Sequence, residues 1–130
     1  LLGTQREELV RILHFEFSEF FRRFVHDLSV RLGYDYIGTD SGENAFKLLA
    51  KHDVNVIITG MELSDMHAEQ LIEELKSSKY SDLPVVILTS SEIANIHKRL
   101  KGLEFSDFIL KESLTIETLK KCVQRFGASE

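Results

Sequence analysis

Apolar residues along this chain follow two alternating patterns, short β-rich runs and segments with the spacing of helices. The runs predict five strands, at Arg11–Phe17, Tyr34–Thr39, Val54–Thr59, Val85–Thr89 and Asp107–Lys111. Val54–Thr59 and Val85–Thr89 are almost continuously apolar, which is typical of strands buried on both faces of a parallel sheet. Tyr34–Thr39 is more polar, which predicts an edge position.

The segments between the strands carry apolar residues at helical spacing. In the first helix Ser18 is the expected N-cap and Gly33 the expected end, since glycine adopts positive φ without strain. The apolar residues of that helix are Phe20, Phe24, Leu28 and Leu32. Those of the later helices are Ala45, Leu48 and Leu49; Leu71, Ile72 and Leu75; Ile93, Ile96, Leu100 and Leu103; and Ile116, Leu119, Val123 and Phe126.

Alternating strands and helices with short connections predict one α/β domain. Right-handed parallel crossovers produce a three-layer α/β/α sandwich around a five-stranded parallel sheet. We assign this domain to residues 11–127 and interpret residues 1–10, which fall outside the pattern, as an N-terminal extension or linker. The chain begins at Leu1 rather than Met, and we expect it to be part of a longer protein.

The composition narrows the classes of function. Hydrophobic residues make up 43% and charged residues 28% of the chain, as in ordinary soluble domains. A net charge of −5 without a basic stripe argues against nucleic-acid binding. No apolar run is long enough to span a membrane, no signal peptide is evident, and we expect a cytoplasmic location. The single cysteine, Cys122, is expected to be a buried core thiol.

Candidate chemistry lies where the predicted strands end. In a doubly wound parallel sheet, ligands bind beyond the carboxyl ends of the strands. The residues at these ends are Glu16, Phe17, Thr59, Gly60, Met61, Thr89, Ser90 and Lys111. Among His14, His67 and His97, no pair has a spacing that indicates a metal site.

Four segments, RILHFEFS, VNVIITGMELSDMHAEQLI, LPVVILTS and DFILK, resemble the receiver domain of two-component response regulators. The resemblance implies a flavodoxin-like (CheY-like) strand order of 2-1-3-4-5 and a role in bacterial signal transduction or phosphorelay. In receivers an aspartate that ends strand three attacks a phosphoryl donor. An acidic pair after strand one holds Mg²⁺, and a Thr or Ser and a Lys from strands four and five contact the phosphoryl group.

Only part of that set carries over to this chain. Glu16 matches the first acidic residue, Thr89 the hydroxyl position and Lys111 the lysine. Phe17 falls on the second acidic residue and Gly60 on the phosphoacceptor. Because glycine has no group to phosphorylate and phenylalanine offers no oxygen to a hard cation, we interpret the chain as a degenerate pseudo-receiver. It is then not an enzyme, has no cofactor, and binds Mg²⁺ weakly or not at all.

Two further positions bear on the switch mechanism of receivers. Phe108, three residues before Lys111, matches an aromatic residue that changes rotamer together with the Thr. Glu112 replaces a proline that usually follows the lysine through a cis bond. Since a cis bond before a non-proline residue costs about 2.5–4 kcal/mol, the Lys111–Glu112 bond is predicted to be trans and the loop after it rearranged.

Several side chains have more than one interpretation. Lys111 is expected to form an ion pair with Glu16 or with Glu62, whose carboxylate is a candidate substitute for the acceptor's charge. Thr89 and Ser90 either begin an anion pocket or cap the next helix. Phe17 is expected to fill the volume of the lost metal, and Phe20 to pack in the core.

Two other functions remain open at this point. A phospho-accepting receiver could use Glu62 or Asp65 with Mg²⁺. A small-ligand-binding flavodoxin-like domain could take a nucleotide or flavin, although no phosphate-binding Gly-rich loop follows strand one.

Protein partners are the expected ligands of a pseudo-receiver. The candidate surface is the face formed by helix four, strand five and helix five, which includes Ile93, Lys98, Arg99 and Phe108. The partner is expected to be an output domain of the same chain or a separate signalling protein, and a homodimer is possible. Neither nucleic acid nor membrane is expected to bind.

Overall fold

The computed structural model of the protein describes residues 9–90 and 92–127, so most of the predicted extension 1–10 lies outside it. The strands are β1 (Arg11–Phe15), β2 (Asp35–Thr39), β3 (Val56–Thr59), β4 (Val85–Thr89) and β5 (Asp107–Leu110). The helices are α1 (Glu19–Arg31), α2 (Ala45–Lys51), α3 (Ala68–Lys76), α4 (Ile93–Arg99) and α5 (Ile116–Cys122). Short 3₁₀ turns precede α2 and follow β5, and a π-helical segment, Val123–Gly127, continues α5.

The described strands form a parallel sheet in the order β2-β1-β3-β4-β5, which confirms the predicted topology. Every residue of β3 and β4 is buried, and β2 lies at an edge, as their apolar and polar patterns predict. The first strand ends at Phe15, two residues earlier than predicted, and the last ends at Leu110. The carboxyl ends of β1, β3, β4 and β5 therefore meet at one edge of the sheet.

Two hydrophobic cores lie on opposite faces of the sheet. Successive residues of a strand point to opposite faces, so Ile57 joins the core beneath α2, α3 and α4, while Ile58 joins the core beneath α1 and α5. This arrangement is the predicted three-layer sandwich. Cys122 is buried in the second core, as expected, and burial, together with the nearby Asp107, raises the pKa of its thiol to about 11.

The first helix begins and ends where the sequence predicts. The hydroxyl of Ser18 accepts a hydrogen bond from the backbone N–H of Phe21 at 3.3 Å, and Gly33 follows the last turn with φ of 82°. The prediction that Phe20 packs in the core is wrong, because this side chain is 69% exposed. Residues spaced by four drift around a helix by about 40° per step, so Phe20 lies about 120° from Leu32.

Among the described helices, none combines the length and the apolar character that crossing a membrane requires.

Candidate functional site at the carboxyl ends of the strands

The predicted strand-end residues, apart from the fully buried Thr59, come together around an open cleft of about 240 Å³. The residues that line the cleft are Glu16, Phe17, Ser18, Gly60, Met61, Glu62, Leu88, Thr89, Ser90 and Lys111. Residues as far apart in the sequence as Glu16 and Lys111, which are separated by 95 positions, thus share one site because the carboxyl ends of parallel strands lie at the same edge of the sheet.

An ion pair between Glu16 and Lys111 lines the cleft. Nζ of Lys111 lies 3.0 Å from Oε2 of Glu16, which confirms one of the two predicted partners of this lysine. Glu16 is only 3% exposed, and its Oε2 also accepts a hydrogen bond from the backbone N–H of Ser18 at 3.1 Å. The Lys111 ammonium lies 4.3 Å from the ring centre of Phe21, which adds a cation–π contact.

Gly60 leaves room for the Glu16 carboxylate. A Cβ atom built on Gly60 would lie 3.1 Å from Oε1 of Glu16, and its three nearest atoms would all belong to that carboxyl group. The backbone N–H of Gly60 donates to the carbonyl of Phe15 at 2.8 Å, which fixes the two strand ends relative to each other. The space beside position 60 is therefore bordered by the carboxylate of Glu16, which follows strand β1, and not by a side chain of residue 60 itself.

His14 connects the site to the edge of the sheet. Its Nδ1 lies 2.7 Å from the hydroxyl of Tyr36, and the ring of Tyr36 lies across Gly38, where any Cβ atom would be within 3 Å of the tyrosine. Nε2 of His14 lies 3.9 Å from Oε1 of Glu16. Burial, with smaller contributions from Lys111 and Arg22, lowers the pKa of His14 to about 3. The imidazole is thus neutral at pH 7, and His14 does not form an ion pair with Glu16.

His14 was not predicted from the sequence to lie beside Glu16 and bond to Tyr36. Its only signal in the sequence is a polar residue between the apolar Leu13 and Phe15, two positions before Glu16 and so on the same face of the sheet.

The Glu62 carboxylate does not contact Lys111, so the hypothesis that it replaces the acceptor's charge is wrong in this geometry. It accepts hydrogen bonds from Nη1 of Arg99 at 2.7 Å and is also bonded to His67. Arg99 in turn binds Glu69 through two nitrogens, each at 2.9 Å. Partial desolvation opposes the charged form, but the hydrogen bonds from Arg99 and His67 hold the pKa of Glu62 below its usual range.

The Asp65 carboxylate is also held by groups that do not line the cleft around Gly60. It accepts hydrogen bonds from the hydroxyl of Ser41 at 2.6 Å and from the backbone N–H groups of Gly42 at 2.8 Å and Glu43 at 3.0 Å. The Ser41 bond, against slight desolvation and together with the two backbone donors, holds the pKa of Asp65 below its usual range. Asp65 thus ties the loop after β3 to the start of the second helical segment.

Phe17 does not fill the cleft, contrary to expectation. Its side chain is 63% exposed, although the residue borders the cleft mouth. Glu16 takes the inward position, so its neighbour points outward, and Arg22 holds the loop by donating to the carbonyls of Glu16 at 2.7 Å and Phe17 at 3.0 Å.

The remaining predicted positions have mixed outcomes. Thr89 lines the cleft and is buried, whereas Ser90 is exposed; neither caps α4, whose N-cap is Glu92. Phe108 is half-buried and packs edge-on against His97 of α4. The Lys111–Glu112 peptide bond is trans, as predicted, and starts a 3₁₀ turn.

The chain matches the response regulator receiver domain family over residues 14–124. With the strand order and the strand-end cleft, this match places the chain in that family. It is a receiver domain of two-component signal transduction.

Curated relatives and solved structures agree with this placement. A chemotaxis protein CheY homolog of Campylobacter jejuni is 30% identical over 84 residues, which cover 62% of this chain and 65% of that protein. The matched part thus spans just under two thirds of the relative's length. The two-component response regulator ORR5 of rice is 25% identical, with 92% of this chain and 91% of that protein covered.

Two solved structures share the fold. Chemotaxis protein CheY4 of Vibrio cholerae superposes with a TM-score of 0.81 at 22% identity, covering 92% of this chain and 99% of that chain. The receiver domain of a sensor histidine kinase from Pseudomonas aeruginosa gives a TM-score of 0.84 at 16% identity, with 94% and 100% covered. That structure holds a magnesium ion in its active-site cleft.

Proposed function

We propose that this receiver domain transmits signals through protein contacts and does not accept a phosphoryl group. The observation that carries the proposal is the Glu16–Lys111 ion pair beside Gly60. In this arrangement the lysine is already neutralised by a carboxylate of its own chain. The position from which a receiver's acceptor aspartate would attack has no side chain.

The residues around the cleft also fit Mg²⁺ poorly. Magnesium requires near-octahedral oxygen coordination at 2.0–2.1 Å. Within the described part of the chain, no group of three or more His, Cys, Asp or Glu side chains could hold a metal ion. Glu16 is engaged by Lys111, and Phe17 offers no oxygen ligand, so these residues do not fit a magnesium ion.

The size of the cleft also favours a function in protein contacts and not in the binding of a small ligand. Its volume of about 240 Å³ is below the roughly 300–1,000 Å³ of typical ligand sites. The partner would be an output domain or a separate signalling protein. As its binding surface we favour the face formed by α4, β5 and α5. Ile93 and Lys98 are exposed there, whereas Arg99 is held by α3 and is not available on that face.

Phosphorylation by acetyl phosphate with Mg²⁺, followed by intact-mass measurement, tests the proposal. The protein is expected to gain no phosphoryl group, while an ordinary receiver gains one under the same conditions. A Phe17→Asp/Gly60→Asp variant, which restores the two missing carboxylates, is the matched control and is expected to gain one as well. A phosphoryl adduct on the unaltered protein would overturn the proposal, and peptide mapping would then show whether Glu62 or Asp65 carries it.

A further inference from the structure

The outward face of α1 presents an exposed stripe that no described part of the chain covers. Residues along a helix turn by about 100° each, so Phe20, Arg23, Asp27 and Val30 lie within an arc of roughly 80°. Phe20 is 69% and Val30 58% exposed, and the charged side chains of Arg23 and Asp27 are also largely in solvent. The stripe therefore has an apolar residue at each end and opposite charges between them.

The order of these residues is self-complementary. Phe20 and Val30 each lie five residues from Val25, on opposite sides of it, and Arg23 and Asp27 each lie two residues from it. If two copies of the helix pack antiparallel about a two-fold axis at the level of Val25, positions equidistant from that axis meet. Phe20 then contacts the second copy's Val30, Arg23 pairs with the second copy's Asp27, and symmetry repeats each contact.

We infer that α1 is a homodimerisation surface, with a second copy of this chain as its occupant. Across the two-fold axis apolar residues meet apolar residues and each cation meets an anion, which fits an isologous contact. Arg23 now lies 3.4 Å from Glu19 of its own helix, and both side chains are exposed, so the arginine can move to Asp27 of the second copy at little cost. A contact along a 13-residue helix is small, which makes the dimer weak and concentration-dependent.

Sedimentation of the 130-residue chain over a range of concentrations tests this inference. The unaltered protein is expected to associate to a dimer as concentration rises. Either single substitution, Arg23→Glu or Asp27→Arg, replaces both symmetry-related ion pairs by pairs of like charge. Each is expected to weaken the dimer about tenfold or more. The Arg23→Glu/Asp27→Arg swap is expected to recover most of the affinity. Circular dichroism would verify that each variant folds, as surface positions allow.

Lys98→Glu, on the α4 face, is the matched control and is expected to leave association unchanged. A monomer at every concentration would overturn the inference. So would a dimer that resists both single reversals, or one that Lys98→Glu weakens while Arg23→Glu does not. Failure of the swap to recover affinity would show that the charges do not meet.

Discussion

The Glu16 carboxylate lies 3.1 Å from the place where a Cβ atom of Gly60 would stand. The two positions are thus coupled, since a residue with any side chain at position 60 would press on a buried carboxylate that Lys111 already holds at 3.0 Å. The absence of a side chain at Gly60 and the inward position of Glu16 are parts of one arrangement.

Gly60→Asp is expected to destabilise the protein by roughly 1–3 kcal/mol at pH 7, because it buries a second carboxylate against Glu16 with one lysine between them. The neighbouring negative charge raises the pKa of the introduced carboxyl, so the loss should shrink as the pH falls and that carboxyl becomes protonated. Urea unfolding at pH 7 and pH 4.5 measures both effects. Gly60→Ala, which adds only the Cβ atom, separates crowding from charge, and an equal loss in both variants at both pH values would contradict the electrostatic account.

Replacing Lys111 alone should lower the free energy of unfolding more than replacing Lys111 and Glu16 together. Lys111→Met leaves the buried Glu16 carboxylate without its ammonium and is expected to lower the free energy of unfolding by roughly 2–4 kcal/mol. This figure is below that of a fully buried pair, since the Lys111 side chain is 18% exposed. Adding Glu16→Gln should recover part of the loss, with a coupling energy of about 1–3 kcal/mol in a double-mutant cycle. Additive effects of the two substitutions would mean that the ion pair contributes nothing.

The buried His14 should make stability depend on pH. Its pKa is about 3 in the folded protein but about 6.5 in the unfolded chain. Between these values the unfolded chain binds the extra proton, so the stability present above pH 6.5 is lost as the pH falls. The slope from this residue approaches about 1.4 kcal/mol per pH unit.

His14→Gln removes that titration, and its amide can still bond to Tyr36. Chemical denaturation at intervals from pH 7 to pH 5, where most carboxylates remain charged, should give a shallower slope for the variant. His26→Gln, on the exposed face of α1, is the matched control and should keep the full slope. Identical slopes for His14→Gln and the unaltered protein would refute the assignment.

Arg99 joins α4 to α3 and to the loop after β3, and Arg99→Ala should loosen α4 more than it destabilises the whole domain. Glu69 and Glu62, in that order, raise the pKa of the arginine through hydrogen bonds. Because these groups are partly exposed, the expected loss of stability is about 1 kcal/mol or less. Hydrogen exchange should show faster exchange of the α4 amides, whereas the neighbouring Lys98→Ala should leave them unchanged. Equal exchange rates in α4 of both variants would show that the arginine does not restrain it.

The central strands could be predicted from burial alone, whereas the strand order was implied by the resemblance to receiver domains. β3 and β4 are buried on both faces, and their continuous apolar runs record that directly. Glu16 could be predicted as one of two candidate partners of Lys111, since the strand order brings the ends of β1 and β5 to the same edge of the sheet. In these cases the burial of a strand or the position of a strand end decides the outcome.

Features that depend on the placement of a further element or residue could not be predicted. Glu62 has Lys111 and Arg99 both within conceivable reach, and only the placement of α4 shows that Arg99 is its partner. The bond between His14 and Tyr36 requires a third position, Gly38, to lack a side chain. Phe17 and Phe20 are apolar yet exposed, because local geometry and helical drift, rather than hydrophobicity, set their directions.

The Lys111–Glu16 pair has one consequence for a cell that makes this protein. On the proposed function, this pair keeps the domain in a single state, independent of kinase activity and of the magnesium concentration. The signal that its partners receive then depends on the concentration and the location of the domain. Both are set by its synthesis and targeting.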